Sequence, residues 1–360
     1  MAERIKRGID PEMIKINLVR YQHEQQKKER ALALFSGGLD SILACRVIAD
    51  QGIDIKAVKY ISPFFDYNLL NQQEEYCRNI KEKYGIDVIV KDISQDYLAL
   101  LHNPPHGFGK HFNPCIDCKI MMIRKTLRMM PEYNASFIIS GEVISQRLMS
   151  QRRDALRIIE RDSGSTGILM RPLCARSLEP TEPEEQGIVN REELPDFKGR
   201  SRTPQMELAK NLGIEDYPSP AGGCILTDPI LGKRIKSLYG ELEQIGIADI
   251  RFILTGRQFR LPHGGRLIMG RRKKENERIA GLKQPGDIEL KPEDRPGPLG
   301  LLRYSKDPED IARAASLIVT YSKKSNILPL EGLVKATDDE YEKTIRTLPL
   351  QKDCLSTRQL

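Results

Sequence analysis

Short apolar runs alternate with stretches of helical spacing through the first half of the chain. Apolar runs of this length are typical of buried parallel strands, and apolar residues three or four apart indicate amphipathic helices. The predicted strands are 31–35, 55–61, 88–93, 137–140 and 168–173, and the predicted helices are 41–51, about 71–84, about 118–130 and around 145–160. This alternation predicts an α/β domain with a parallel sheet and right-handed helical crossovers.

The pattern changes in the second half of the chain. Residues 178–202 are rich in Pro, Glu and Gly, which is typical of a connection that leaves a sheet. Beyond it we predict helices at about 204–212 and 308–322, and strands at 251–254, 266–270 and 287–290. The predicted organisation is a helical lead-in (1–30), a parallel-sheet domain (31–175), a connecting segment (176–245), a smaller α+β domain (246–345) and a tail (346–360).

The turn between the first predicted strand and helix reads Ser-Gly-Gly-Leu-Asp-Ser over residues 36–41. Glycines let backbone N–H groups approach an anion, and a helix N-terminus adds unpaired donors and a positive dipole end. No Gly-Lys-Ser/Thr follows, so this is not the lysine-bearing phosphate loop. Because ligands bind beyond the carboxyl ends of parallel strands, several strand ends are expected to meet at one nucleotide. The predicted contacts are Ser36, Gly37, Gly38, Asp40, Ser41, Tyr60, Ser140 and Gly141.

Composition narrows the class of protein. The chain has 360 residues, of which 39% are hydrophobic and 30% charged, and no apolar run approaches the length of a membrane span. The N-terminal residues lack an apolar signal region, so we expect a cytoplasmic protein without a membrane partner. Seven cysteines without a small disulfide framework fit a reducing compartment, where cysteines more often bind metal or carry sulfur.

Three cysteines are candidate site residues. Cys115 and Cys118 form a Cys-x-x-Cys pair at the start of a predicted helix, whose dipole favours thiolate, and Cys224 ends a stiff Pro-Ala-Gly-Gly-Cys turn. Zinc sites, redox pairs and iron–sulfur clusters all use such pairs. Structural zinc usually takes four protein ligands, whereas three cysteines suit an iron–sulfur cluster with one iron open to another ligand.

The positive charge is concentrated in one segment. The whole chain carries +7 from 57 basic and 50 acidic residues, and residues 251–278 alone carry +7 from nine basic and two acidic residues. Such a patch indicates a polyanion partner, although many charge runs are merely solvated faces. The candidate RNA-binding residues are Arg257, Arg260, Arg266, Arg271, Arg272, Lys273 and Lys274.

With these motifs in order, residues from about 30 to 230 resemble the tRNA-specific 2-thiouridylases and related PP-loop tRNA thiolation enzymes. Residues 36–41 resemble the family's ATP loop, 113–119 its first cysteine motif and 208–227 its second. Residues 140–142 resemble its Thr-Gly-His contact, with Glu142 in place of histidine. With the additional Cys115, the cysteine pattern of this chain resembles that of the thiolation enzymes that hold a [4Fe–4S] cluster on three cysteines.

Residues from about 250 to 345 resemble a second family, the NFACT-R RNA-binding domain. The matching positions include Gly256-Arg257, Gly270-Arg271, Gly286-Asp287 and Pro296-Gly297-Pro298. Where that domain often carries an aromatic residue and a histidine after Gly-Asp, this chain has Ile288, Leu290 and Lys291.

The two resemblances imply ATP-dependent tRNA thiolation. A base carbonyl, with uridine C2 expected, is adenylated with loss of pyrophosphate, and sulfur then displaces AMP. The implied catalytic residues are Asp40, Cys118 and Cys224, the implied cluster ligands are Cys115, Cys118 and Cys224, and the implied cofactors are ATP, Mg²⁺ and a [4Fe–4S] cluster. The expected partners are tRNA and a sulfur donor, either sulfide or a persulfide carrier. Alternatives are a PP-loop ligase or amidotransferase acting on a small molecule and a non-catalytic RNA-binding factor.

Overall fold

A computed structural model describes residues 29–219, 224–323, 330–340 and 342–350. Residues 1–28 of the predicted lead-in, residues 220–223 before Cys224 and residues 351–360 of the predicted tail lie outside this part of the chain.

Helices and strands alternate through the first half of the described chain, as the hydrophobic pattern predicts. The strands are β1 (Arg30–Leu34), β2 (Asp54–Ile61), β3 (Asp87–Asp92), β4 (Phe137–Ser140), β5 (Leu169–Met170), β6 (Arg257–Arg260), β7 (Arg266–Met269), β8 (Ile288–Pro292), β9 (Gly300–Arg303), β10 (Gly332–Thr337) and β11 (Glu342–Thr347). The α-helices are α1 (Leu39–Ala49), α2 (Gln73–Tyr84), α3 (Ser94–His102), α4 (Cys115–Tyr133), α5 (Arg153–Ser163), α6 (Glu182–Glu185), α7 (Thr203–Asn211), α8 (Pro229–Glu241), α9 (Ile247–Ile253), α10 (Lys273–Ala280) and α11 (Pro308–Tyr321).

The first five strands form one sheet in the order β3-β2-β1-β4-β5, and β1 pairs in parallel with both β2 and β4. The register aligns Leu34 with Val58 on one side and with Ser140 on the other, so these strands end at the same edge. Helix α1 buries Ile42 and Ile48 in the core beside this sheet. The predicted α/β fold with a parallel sheet is confirmed.

The other six strands form a separate antiparallel sheet in the order β11-β10-β8-β9-β7-β6. Its apolar residues Leu267, Leu302 and Val334 share a buried core with Ile318 of helix α11. Since helix α11 supplies the apolar face that this sheet needs, the second domain is α+β, as predicted.

Three predicted elements differ from the structure. The strand predicted over 168–173 is shortened to β5, because a 3₁₀ helix (Pro172–Ser177) follows it. Residues 251–254 are predicted as a strand but belong largely to helix α9, whose Asp249 caps its own N-terminus by accepting from the Gly246 N–H. A short apolar run such as Phe252-Ile253-Leu254 does not distinguish a strand from a buried helical turn. The helix predicted around 145–160 begins only at Arg153, because residues 145–152 form turns. Helices α3 and α8 are not predicted from the sequence.

Contacts between Cα atoms divide the chain into two compact units. Unit 1 comprises the described residues within 1–60, 69–91 and 119–221. Unit 2 comprises the described residues within 61–68, 92–118 and 222–360. Unit 1 is built on the parallel sheet and unit 2 on the antiparallel sheet. Within the described residues, no helix has both the length and the apolar character that a membrane crossing requires.

Candidate active site

In unit 1, the turn from β1 into α1 is held by its own side chains. The Ser36 hydroxyl accepts from the Gly38 N–H at 3.3 Å and donates to the Ser41 hydroxyl at 3.2 Å, and Ser41 donates to the Gly38 carbonyl at 2.8 Å. Gly37 has φ +82°, a left-handed conformation that favours glycine. These bonds fix a compact loop at the N-terminus of α1, the end of a helix that favours anions.

The end of β4 packs directly on this loop. A Cβ atom on Gly141 would lie 2.5 Å from the carbonyl carbon and oxygen of Asp40 and 2.6 Å from the backbone nitrogen of Ser41. Only glycine permits this approach, which brings Ser140 and Gly141 to the first turn of α1. The structure thus brings together two of the strand ends that the sequence predicts at one nucleotide.

The Asp40 carboxylate is oriented by residues that the sequence did not single out. Gln146 donates to Asp40 Oδ2 at 2.6 Å, Gln205 donates to Gln146 Oε1 at 2.9 Å, and the Arg202 guanidinium lies 3.4 Å from Asp40 Oδ2. Within the described residues, the buried Asp40 Oδ1 has no hydrogen-bond partner. The protein therefore fixes one oxygen of this carboxylate and leaves the other without a partner among the described residues.

A lysine from the neighbouring strand supports the loop. Lys59 of β2 is 4% exposed, donates from Nζ to the Ser36 carbonyl and lies 5.9 Å from the centre of the Tyr76 ring. A Cβ on Gly37 would lie 2.8 Å from the Tyr76 hydroxyl and 3.8 Å from Lys59 Nζ. The chain lacks a lysine within the loop, but the fold supplies an ammonium group directly behind it.

Tyr60 differs from the other predicted nucleotide contacts. Its side chain is 6% exposed, and its hydroxyl shares a hydrogen bond of 2.9 Å with Thr126 of helix α4. Burial raises the pKa of Tyr60 to about 12, against a smaller lowering by the Thr126 hydrogen bond. Because the hydroxyl is committed to Thr126, we place Tyr60 in the core and omit it from the proposed nucleotide contacts.

Glu142, at the position of the family's histidine, is a buried carboxylate in an ion network. Its Oε2 accepts from Arg171 Nε at 3.1 Å and from the Ser140 hydroxyl at 3.2 Å, and its Oε1 lies 3.6 Å from Lys119 Nζ. Arg171 is also paired with Glu160. Burial alone would raise the pKa of Glu142, but Lys119 and Arg171 lower the pKa below its usual value. Glu142 therefore stays charged and holds Lys119 in place.

In unit 2, the three candidate cysteines all act electrostatically on one buried tyrosine. Tyr97 of helix α3 hydrogen-bonds Cys118, and Cys115 and Cys224 lie close enough to act on its hydroxyl electrostatically. Burial first, and then these cysteines, raise the pKa of Tyr97. Cys224 therefore lies in the same region of unit 2 as the Cys-x-x-Cys pair, although the two segments are distant in sequence.

Local hydrogen bonds position these thiols. The Asn113 amide donates to Cys115 Sγ at 3.2 Å, and Cys115 begins helix α4. Between the paired cysteines, buried Asp117 accepts from the His106 backbone N–H at 3.0 Å and pairs with His106 Nδ1 at 2.7 Å. Cys224 begins a single 3₁₀ turn, with its carbonyl accepting from the Thr227 N–H at 2.8 Å. All three thiols are partly exposed.

The remaining cysteines in the described part of the chain have different surroundings. Cys45 and Cys174 are buried, burial raises the pKa of both, and that of Cys174 reaches about 11. Cys77 is partly buried, and none of the described cysteines forms a disulfide. Across the same residues, no group of three or more His, Cys, Asp or Glu side chains is arranged to bind a metal ion.

The predicted RNA-binding residues of unit 2 fall into two groups. Those of the run 271–274 are exposed, at the start of α10, and Arg257 lies over the Tyr321 ring at 4.7 Å. Arg260 is exposed and lies 3.3 Å from Glu241. Arg266, in contrast, is 2% exposed and donates to Glu241 and Ser237 at 2.7 Å. A buried, paired guanidinium joins β7 to α8, so we remove Arg266 from the proposed RNA contacts.

The sequence alone does not identify the residues that orient Asp40 and support the loop. Arg202 ends the segment predicted to be a connection, and Gln205 follows it shortly after. Lys59 lies within a strand that is otherwise apolar. A lysine inside an otherwise buried strand is the one available signal, because a buried charge needs a partner. Nothing in the local sequence marks Tyr97.

Comparison with known protein families matches two parts of the chain. Residues 26–180 match the family described as thiamine biosynthesis protein (ThiI), and residues 256–358 match the NFACT protein RNA binding domain. The chain therefore joins a ThiI-type domain, built on the parallel sheet, to an NFACT-type RNA binding domain. The resemblance to a PP-loop thiolation enzyme with an NFACT-R-like domain is confirmed at the level of these two domains.

Individual relatives are distant. A tRNA sulfurtransferase from Desulfurococcus amylolyticus is 22% identical over 220 residues, which are 59% of this chain and 40% of that protein. The chain thus spans less than half of this curated relative's length. Among solved structures, a 4-thiouridine synthetase in complex with RNA and ATP is 20% identical, with a TM-score of 0.38 over 62% of this chain and 52% of that one. The C-terminal part of a fibronectin/fibrinogen-binding protein from Streptococcus suis is 12% identical, with a TM-score of 0.26 over 68% of this chain and 94% of that one.

Proposed function

We propose that this protein is an AMP-forming tRNA sulfurtransferase: it uses ATP to activate a base carbonyl in tRNA and replaces the carbonyl oxygen with sulfur. The observation that carries the proposal is the combination of a ThiI-type domain, which contains the loop at 36–41 and the pair Cys115 and Cys118, with an RNA binding domain. A ligase acting on a small molecule explains the loop but leaves these thiols and the RNA-binding domain without a role.

The loop would serve the activation step. The N-terminal end of α1 would stabilise the phosphates of ATP, and Lys59 would support the loop from behind through its bond to the Ser36 carbonyl. The base carbonyl oxygen attacks the α-phosphorus, the bond from that phosphorus to the bridging oxygen breaks, and pyrophosphate leaves. The oxygen, a poor leaving group as a carbonyl, now leaves with AMP when sulfur attacks the carbon. The tRNA base has exchanged oxygen for sulfur, and ATP has become AMP and pyrophosphate.

Asp40 has the chemistry that Mg²⁺ requires. Mg²⁺ prefers oxygen ligands, and at phosphate sites it binds through one or two carboxylates and keeps several waters. The Asp40 Oδ1 atom, which has no partner among the described residues, fits that role, while Gln146 and Arg202 fix Oδ2. Asp40 would then hold the ion that offsets the charge of the pyrophosphate.

An iron–sulfur cluster is the proposed use of the three cysteines. Their donor chemistry, cysteine sulfur alone, is the one that such clusters take. A [4Fe–4S] cluster on three cysteines has one iron open to a further ligand, where it would supply sulfide chemistry. In this proposal Cys115, Cys118 and Cys224 would hold the cluster. In the alternative persulfide route, Cys118 or Cys224 carries the sulfur.

The basic surface of unit 2 would bind the tRNA backbone. Arg271, Arg272, Lys273 and Lys274 are exposed and consecutive, so they fit phosphates rather than specific bases. Arg257 and Arg260 extend the proposed contact. We keep tRNA uridine C2 as the proposed position, sulfide or a persulfide carrier as the donor, and the cytoplasm as the location.

Pyrophosphate release tests the activation step. The purified protein with ATP and tRNA is expected to release pyrophosphate, and Asp40→Asn is expected to abolish the release. Asp50→Asn, at the opposite, C-terminal end of the same helix, should leave it intact. Release that needs a small molecule instead of tRNA would favour the ligase. No release with any substrate would favour a non-catalytic RNA-binding factor.

Salt dependence tests the RNA surface. A protein that neutralises several phosphates loses affinity steeply as salt rises. Replacing both Lys273 and Lys274 by Ala is expected to weaken tRNA binding and to reduce the slope of log affinity against log salt by about 2. A tRNA affinity without salt dependence would overturn this part of the proposal.

A further inference from the structure

Residues 145–152 (the 145–152 loop) form turns between β4 and α5 in unit 1. The Ser145 N–H donates to the Gln151 carbonyl at 2.7 Å, and the Gln151 N–H donates to the Arg147 carbonyl at 3.2 Å. Both bonds run within the loop and close it. Because Gln151 is only 5% exposed, this side of the loop is packed into unit 1, and the loop presents its other side chains from a fixed backbone.

One side chain connects the loop to the proposed ATP site. Gln146 donates to Asp40 Oδ2 at 2.6 Å, and Asp40 lies in the first turn of α1. Leu148 follows Gln146 by two residues, so their Cα atoms are at most about 7 Å apart. The tip of the loop therefore lies beside the turn that is proposed to hold ATP.

The side chains at the tip are exposed. Leu148 is 69% exposed, more than any other large apolar side chain among the described residues of unit 1. Arg147 is exposed as well, and within the described residues its guanidinium has no hydrogen-bond or ion-pair partner. Residues 145–153 contain three arginines and no acidic residue. This surface suits a partner that offers both negative charge and an apolar face.

We propose that the 145–152 loop contacts the tRNA substrate beside the ATP site, with Arg147 on a backbone phosphate and Leu148 against the face of an unstacked base. The inference rests on the proposed function and adds a contact surface for its substrate. This surface belongs to unit 1 and does not depend on the basic residues of unit 2.

The proposed reaction explains why the partner is RNA. A base carbonyl can attack the α-phosphorus only if the base reaches the ATP loop, and enzymes that act on a base take it out of its stack. Leucine is one of the apolar side chains that occupy an unstacked step, and arginine binds phosphate through two parallel hydrogen bonds. A nucleic acid therefore offers both groups at the place where the reaction needs it.

A single introduced tryptophan can report on the loop, because the chain contains none. The test adds tRNA to Leu148→Trp and follows the tryptophan emission and its quenching by acrylamide. If a base stacks on this side chain, tRNA should reduce the emission by about half and the access of acrylamide several-fold.

Ala49→Trp is the matched control. Ala49 is exposed at the C-terminal end of α1, about 14 Å along the helix axis from Asp40. Its tryptophan should lose only the light that tRNA absorbs. An equal response of the two variants, or no response of Leu148→Trp when tRNA is saturating, would overturn the inference. So would a tryptophan in Leu148→Trp that is shielded without tRNA and becomes accessible on dilution, because a second copy of the chain would then cover the loop.

Salt dependence tests the phosphate contact. Arg147→Ala should reduce the slope of log tRNA affinity against log salt by about 1. Arg128→Ala should leave the slope unchanged, since Arg128 is exposed near the end of α4, where Tyr133 accepts from Arg30 at the start of β1, the opposite edge of the sheet. A wild-type slope in Arg147→Ala would overturn the inference. A wild type that binds tRNA but releases no pyrophosphate would instead contradict the proposed function, and these binding measurements would still decide the inference.

Discussion

Replacing Gly141 by alanine tests the junction that forms the ATP site. The new Cβ would lie 2.5 Å from backbone atoms of Asp40, whereas ordinary contacts begin at 3.4 Å. The end of β4 and the first turn of α1 must therefore move apart by about 0.9 Å. Backbone atoms cannot rotate away as a side chain does, so the displacement falls on the loop.

The expected effect is large on activity and moderate on stability. A misplacement of about 1 Å costs about 100-fold in a positioned reaction, and overpacking costs about 1–3 kcal/mol of folding free energy. We therefore expect pyrophosphate release by Gly141→Ala to fall about 100-fold, with a lower unfolding midpoint in urea. The free variant can relieve the overpacking by moving the loop, and ATP binding must then restore the loop. If this costs the same amount, about 1–3 kcal/mol, the affinity for ATP measured by calorimetry should fall about 5- to 150-fold.

Gly240→Ala is the matched control for this experiment. Gly240 lies inside helix α8, and a Cβ there would meet nothing within 4 Å. Alanine is favoured over glycine inside a helix by about 0.5–1 kcal/mol, so this variant should be slightly more stable and fully active. Normal ATP binding and normal pyrophosphate release by Gly141→Ala would refute the assignment of ATP to this loop.

Three further variants test other parts of the account. Lys59→Met removes the bond to the Ser36 carbonyl and should weaken ATP binding about tenfold, as measured by calorimetry; unchanged affinity would mean that the loop does not need this charge. Because the pKa of Glu142 is lowered in the folded state, its carboxylate stabilises the fold above the unfolded pKa, and this stability is lost as the pH falls through the folded value. Urea unfolding should therefore show Glu142→Gln to be destabilised at pH 7 and less sensitive to acid, and a parallel pH profile would contradict this. Cys115→Ser should lose iron and thiolation, whereas Cys77→Ser should keep both; an active Cys115→Ser would favour the persulfide route.

The parts of the site that depend on local sequence could be predicted. The run from Ala31 to Ser41 contains its own strand, glycine turn and helix start, so its conformation follows from neighbouring residues. The same holds for the pair Cys115 and Cys118, whose spacing fixes them on one helical turn.

The parts that depend on tertiary contacts could not be predicted. Tyr97, Gln146 and Arg202 act through residues distant in sequence, and no spacing reveals such partners. A sequence gives the charge of a residue but not its burial. Arg266 therefore cannot be distinguished in the sequence from the other residues of the basic segment, although the fold buries it beside Glu241.

The central claim is that ATP cleavage replaces oxygen with sulfur in tRNA. Its most direct test is mass spectrometry of the nucleosides from tRNA incubated anaerobically with the protein, ATP and sulfide, with AMP measured in the same reaction. The account predicts one thiolated uridine, 2-thiouridine, for each AMP formed, and none without ATP; 4-thiouridine in the same ratio would change the position but keep the reaction. AMP formation without any sulfur entering the tRNA would contradict the account.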